Sequence, residues 1–326
     1  TELAVGERCG ITIPTRFAFR NAGYAPILKK HGLKRYLFDE DRPVEVALKN
    51  PERLRDRIFV PEPIAKTDFL VCLPKFKTHP WTTVTFSLKN FIGIQDDAHR
   101  LIDHDFNLDR KIADLQDVVA QHLIVIDAVI GGSGRMLTPR PVPLGMIIVG
   151  RNPVAVDTVC CAMLGLDARS VGHIRLCGER GLGPLDLSAI DIRGDVTLDQ
   201  ATERCKPMQV GLVRVEDYFA GSRITALAGP PPDPEGVPYC WGGCPGAVEE
   251  AIEIIERLQP DARTAARKLR IVYGDMRGKD LHEEEGEYVV FLGDCVRYSG
   301  TVFGQPTEVE SVYVPSRGRD PRHARA

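Results

Sequence analysis

Between residues 68 and 164, short apolar runs rich in β-branched residues alternate with stretches of helical periodicity, and this alternation restricts the fold more than any other feature. "DFLVCLP" (68–74), "HLIVIDAV" (122–129) and "LGMIIVG" (144–150) have the length and composition of strands. Residues 107–119 and 153–164 repeat their apolar positions with the helical period. Runs that are apolar on both faces belong to strands covered on both sides, so the expected architecture is α/β, a mostly parallel sheet with helices on both faces. In "RNPVAVDTVCCAMLG", Asn152 is placed to cap a helix, Pro153 suits its first position and Gly165 its stop. "AGPPPDPEGVP" (228–238), with five prolines and two glycines, continues neither a helix nor a central strand. It divides the chain into an α/β domain at 1–228 and a smaller α/β module at 229–326, with strands expected at 269–274, 288–295 and 311–315.

The 326 residues carry a formal charge of −3 and no long run of Lys or Arg, which disfavours nucleic acid and anionic membrane as partners. No apolar run approaches the ~20 residues that cross a bilayer, and the first residues lack a signal-peptide pattern. A cytoplasmic protein is expected. The chain opens at Thr1 with residues that read as the interior of a domain, so preceding sequence is expected as well.

Six of the nine cysteines have no ligand-like spacing, and Cys72, Cys160 and Cys161 sit in apolar runs where a thiol acts as a small hydrophobe. "YCWGGCPGAVEEAIEIIERL" (239–258) is different. Cys240 and Cys244 stand four apart among glycines, ahead of a helix expected to start at or just after Pro245. That helix would bury Val248, Ala251, Ile252, Ile255 and Leu258 and expose its glutamates. A helix N-terminus stabilises thiolates, and Gly242, Gly243 and Gly246 leave room for a backbone to wrap an anionic cluster. Cys295 follows the strand "YVVFLG", and strand carboxyl ends share a crevice with helix N-termini. Three thiolates at one place suit an iron–sulfur cluster with one iron left open; zinc needs a fourth ligand such as His282. A redox disulfide or inert thiols remain as alternatives.

In "PKFKTHPWTTVTFSLKNFIGI", Lys75, Lys77, Thr78, His79, Lys89 and Asn90 crowd the end of a buried strand. Cations there suit the carboxylate or phosphate of a ligand, with His79 available for proton transfer, or else the stretch is a solvated loop. His99, Arg100 and His104 form a second polar group, and Asp127 ends a strand where α/β enzymes place working carboxylates. Asp157, inside an apolar helix, reads as a satisfied buried carboxylate, while His173 and Arg180 are within reach of the same crevice or are packing residues.

The first polar stretch, together with "ADLQDVVAQHLIVIDAVIGGSG", "MIIVGRNPVAVDTVCCAMLG" and "HIRLCGERGLG" in that order, resembles the family catalogued as domain of unknown function 362. Many members are linked to iron–sulfur clusters, so the resemblance favours a [4Fe–4S] cluster over zinc and a functional role for Lys75, Lys77, His79, Lys89 and Asn90. It implies no reaction. The chain lacks the C-x-x-C-x-x-C insertion of some members, and Ser316 and Arg317 stand where a related C-terminal module often has a further cysteine. The expected protein is an enzyme whose three-cysteine cluster acts on a small anionic substrate by lyase, dehydratase or reductive chemistry. In it Thr78, His99, Arg100, His104 and Asp127 would contact the substrate at a site shared by both parts of the chain. The alternative is an electron-transfer or redox-sensing protein working with a partner such as an electron donor.

Overall fold

The computed structural model describes residues 2–10, 13–49, 51–96, 100, 107–231 and 237–311. The chain forms two compact units, the first made of residues 1–135 and 139–211, the second of 136–138 and 212–326.

The first unit is organised by one long strand. β1 (Ala4–Glu7) pairs in parallel with β2 (Lys34–Leu37), with helices α1 (Thr15–Asn21) and α2 (Tyr24–His31) between them. β3 (Pro43–Ala47) and β4 (Arg57–Pro61) form an antiparallel pair that leads into α3 (Glu62–Lys66). β5 (Leu70–Cys72) and β6 (Lys75–His79) follow in line, and both pair in parallel with β8 (Gln121–Ser133). They are interrupted at Leu73 and Pro74; proline brings no N–H to a ladder, but its carbonyl accepts from Asp127 N at 2.9 Å. β7 (Thr83–Val84) is antiparallel to β6, and β9 (Arg140–Gly150) antiparallel to β8.

The α/β class therefore stands, with this sheet mixed. The connection from β8 to β9 covers only 134–139, and a parallel return needs a crossover of a dozen residues or more. Ile124, Ile126 and Ala128 of β8 and Leu144 and Met146 of β9 are buried, and α5 (Pro153–Met163) packs against these two strands. On the other face Val71, Asp127, Val129, Ile147 and Val149 are exposed, so helical cover is not complete on both sides.

The expected start and stop of α5 are present: Asn152 Oδ1 accepts from Ala155 N at 2.9 Å, Pro153 opens the helix and Gly165 takes φ +73°. From this helix Asp157, fully buried, accepts from Ser87 N at 3.0 Å, Ser87 Oγ at 2.6 Å and Leu88 N at 3.0 Å. It thus holds the start of the 3-10 turn Leu88–Ile94. Burial outweighs these bonds and pushes its carboxyl up to about 6. An acid raised in the fold is protonated in both states at low pH. As pH rises the unfolded chain ionises first, so folding loses up to about 3 kcal/mol between the ordinary carboxylate value and the raised one. The stability advantage of wild type over Asp157→Asn should shrink by that order between pH 4 and 7 in urea titrations. A difference that stays flat rejects the raised value.

The five buried thiols outside the second unit's cluster are core groups. Burial pushes Cys72 and Cys177 up to about 12 and Cys205 up to about 11, and raises Cys160 and Cys161 strongly.

The second unit is built on an all-parallel sheet of β10 (Ile224–Ala228), β11 (Leu269–Tyr273) and β12 (Tyr288–Phe291), in that order. β10 pairs with β11 along its whole length, so the unit starts at Leu212, ahead of the Pro-rich stretch at which the sequence suggests a boundary. An antiparallel hairpin of β13 (Tyr298–Val302) and β14 (Gln305–Val309) follows; of the strand expected at 311–315, all but Ser311 lies outside the described residues.

The helix after the cysteines, here α9 with α6 (Gly172–Glu179), α7 (Leu198–Cys205) and α8 (Val215–Tyr218) preceding it, spans Gly243–Leu258. It starts two residues before Pro245, which places Cys244 in its first turn. Its buried face is also rotated from the expected one. Glu249 and Glu253 are buried, while Ile255 and Leu258 are exposed; only Val248 and Ile252 join the core as expected. The inward glutamates have polar company: Thr138 Oγ1 donates to Glu253 at 3.2 Å, and Glu256 pairs with Arg263 at 2.7 Å.

Candidate functional site

Each strand of the parallel sheet in the second unit runs out into a glycine within two residues, Gly229 after β10, Gly274 after β11 and Gly293 after β12, and Cys240, Cys244 and Cys295 lie on the segments next to these carboxyl ends. Gly229 donates to Tyr273 O at 2.9 Å, and its carbonyl accepts from Cys240 N at 2.7 Å, which fixes Cys240 to the end of β10. Asp275 N donates to Pro230 O at 2.9 Å, so the exits of β10 and β11 are laced together. Cys240 is buried and packs in one core cluster with Tyr273, against which Cys244 and Leu292 also pack. Gly293 has φ +105°, and a Cβ there would stand 3.0 Å from Cys244 Sγ. Cys295, half-buried, lies two residues beyond.

Tyr273, the last residue of β11, is 1% exposed, and among the described residues its hydroxyl has no hydrogen-bond partner. Burial raises its phenol first, then the Cys244 thiol, the Glu249 carboxyl and the Cys240 thiol. Sequence reasoning passes over Tyr273 and Gly293. The repeated glycine just past each strand is the signal that points to them, because a side chain is excluded where backbones or ligands come close.

The chemistry of this donor set fits a soft, thiolate-held group. Gly293 keeps open the space beside the Cys244 sulfur, and the Tyr273 hydroxyl is a buried polar atom with no acceptor among the described residues. Among the described residues no three His, Cys, Asp or Glu side chains already stand in an arrangement able to hold an ion. Ligation by all three thiols therefore requires loop movement. His282 is not brought to them: it is exposed and pairs with Asp280 at 3.5 Å. Its neighbour Leu281 packs with Val272, on the face of β11 opposite Tyr273.

In the first unit the polar stretch is divided by the pleat of β6. Lys75 lies opposite Asp127 and pairs with it at 2.7 Å, while Phe76 and Thr78 point to the buried side. The Lys75 hydrogen bond holds the Asp127 carboxyl below its ordinary range, helped by Val129 N. Two residues expected to meet a substrate are thus each other's partners. Lys77 is half-buried, with its Cβ against Gly132. Thr78 Oγ1 accepts from Gly134 N at 2.7 Å. His79 is buried, and its Nδ1 accepts from Trp81 N at 3.1 Å and Thr82 N at 3.3 Å, which puts the ring proton of the neutral form on Nε2. Lys89 is buried within the 3-10 turn, and the exposed Asn90 donates to Cys72 Sγ at 3.4 Å. Arg100 donates to Cys9 O at 3.0 Å; His99 and His104 lie outside the described residues. Thr83 and Phe86 take φ of 64° and 44°, costly for side chains of these types, so the segment after His79 is held in a strained form by its surroundings.

His173 and Arg180 are packing groups. His173 is fully buried with Nδ1 2.9 Å from Asp109, and Arg180 pairs with Asp114 at 2.7 Å and Glu52 at 2.8 Å.

No helix among the described residues is long and apolar enough to cross a membrane. Comparison with curated proteins and with solved structures finds no match to this chain. The model of the family described as Domain of unknown function (DUF362) matches residues 1–162, the segment that ends within α5 and includes the Lys75–Asn90 stretch and β8. Through residues 1–162 the chain belongs to the DUF362 family.

Proposed function

We propose that this chain is a cytoplasmic iron–sulfur protein whose second unit holds a [4Fe–4S] cluster through Cys240, Cys244 and Cys295. The observation that carries the reading is the placement of all three thiol-bearing segments at the carboxyl edge of one parallel sheet, with Cys244 Sγ against the side-chain-free Gly293. Cys244 also lies in the first turn of a 16-residue helix, where free N–H groups favour anions. A cluster held by three cysteines supplies, when bound, Lewis-acid or one-electron chemistry at its remaining iron. That favours an enzyme acting on a small anionic substrate, by lyase, dehydratase or reductive chemistry. The lysines are weaker support than the sequence suggests, because Lys75 is already engaged by Asp127. This pairing favours the second reading, an electron-transfer or redox-sensing protein acting with a partner protein.

Protein purified or reconstituted anaerobically should be brown, with about four irons per chain. Serine at Cys240, Cys244 or Cys295 should each abolish or destabilise the chromophore, whereas serine at the core thiols Cys72 or Cys177 should leave iron content unchanged in whatever protein folds. Colourless protein carrying one equivalent of zinc, or iron retained in all three variants, would sink the proposal. Titration of the brown protein with citrate or phosphate separates the two readings: a changed cluster spectrum supports the enzyme, and an inert one supports the electron carrier.

A further inference from the structure

We infer that the outer edge of β9 pairs with the same edge of a second copy of this chain, antiparallel and two-fold about Ile148. Among the described residues β8 is the one strand that β9 pairs with, so the sheet ends at β9. The direction of its outward groups follows from β8. Asp127 N donates to Pro74 O, away from β9, and residues directly opposite in an antiparallel pair either exchange both bonds or turn both sets of groups outward. Ile147, opposite Asp127, and Val149, two residues on, therefore present N–H and C=O to the outer edge, and their side chains are 64% and 60% exposed.

Proteins blunt such edges with proline, charge or a covering group. The first half of β9 has these devices: Pro141 and Pro143 bring no N–H, and Arg204 of α7 donates to Leu144 O at 3.2 Å and Gly145 O at 3.3 Å. The second half, "MIIVG" at 146–150, has no proline and no charge. It is also complementary to itself. A two-fold axis at Ile148 sets Ile147 opposite Val149 of the second copy and Val149 opposite its Ile147, β-branched pairs on one face that exchange main-chain bonds. The same register brings Arg151 to Gly145, where Arg204 already stands, so like charges end the ladder on both sides. A foreign strand could use the same main-chain groups, but a second copy supplies the matching side chains by symmetry.

A ladder this short is smaller than a standard interface of about 20–30 residues a side, so the association should be reversible. Sedimentation velocity on the full chain should show a monomer–dimer equilibrium across the micromolar to millimolar range. Added salt should tighten it, by screening Arg151 from Arg204. Ile147→Lys should be monomeric throughout with the thermal midpoint of wild type, because the side chain it replaces is exposed. Ile147→Pro, which removes the outward N–H and leaves the β8 ladder its bonds, should be monomeric as well. Val71→Lys, on the same exposed face but on β5, should still dimerise. A wild-type chain that stays monomeric leaves the edge to a different strand or to none, and overturns the inference. A dimer that survives Ile147→Lys, or that salt weakens, overturns it too. Equal dissociation by Val71→Lys and Ile147→Lys would place the contact on the sheet face and reject edge pairing.

Discussion

Asp114→Asn should destabilise the first unit by about 3 to 5 kcal/mol, the cost of breaking a buried charge network by removing one partner. Asp114 is fully buried in α4 (Leu108–Leu115), and its carboxylate accepts from Glu52 N at 3.0 Å, Arg53 N at 2.7 Å and Leu54 N at 2.9 Å, besides the Arg180 ion pair. Four donors converge on two oxygens. Asparagine keeps one acceptor, turns an N–H₂ group toward donors and leaves the half-buried Arg180 with Glu52 alone. For a unit of this size the thermal midpoint should fall by on the order of 10 °C. Glu203→Gln, which removes an exposed partner of Lys206, is the control and should change stability by less than about 0.5 kcal/mol. Equal effects from the two substitutions in calorimetry would show that the network is not what holds residues 52–54 to α4.

Gly229→Ala should cost about 3 kcal/mol or more in the second unit, because the clash it makes is with backbone. A Cβ at Gly229 would collide with the Asp275 carbonyl oxygen and come within 2.6 Å of its carbon. No rotamer relieves that contact, so the exits of β10 and β11 must separate, and the Cys240 N bond to Gly229 O goes with them. Gly286→Ala is the comparison. Gly286 has φ +74° but nothing within 4 Å of its Cβ position, so alanine there meets left-handed strain alone, about 1 to 2 kcal/mol. Urea midpoints measured on both variants separate collision from strain. A Gly229→Ala protein as stable as wild type would mean that the strand exits are not tightly laced.

Features encoded within a few residues were legible. The cap, opening proline and closing glycine of α5 are contiguous, and each acts through its own backbone geometry. The strands at 122–129 and 269–274 could be read from runs of β-branched residues that suit no other buried conformation. The association of Cys240 and Cys244 with a helix start was legible for the same reason. The face that α9 buries was not. Its apolar stripe points to Ile255 and Leu258, but Thr138, 115 residues from Glu253, supplies the partner that lets Glu253 turn inward, and Arg263, just past the helix, pairs with the half-buried Glu256.

The sequence by itself determined the α/β class, the positions of its main strands and helices, and the presence of three thiols near glycine-rich turns, since propensity and capping act over a window of one element. Only the tertiary structure decided what those residues meet. Strand register set Lys75 opposite Asp127, 52 residues away, and so turned two expected ligand contacts into an ion pair. Parallel pairing of β10 with β11 moved the start of the second unit to Leu212 and brought Cys240 beside Tyr273. Such pairings depend on which strands lie side by side and in what register. A one-residue slip would reverse every face, and no single segment contains that information.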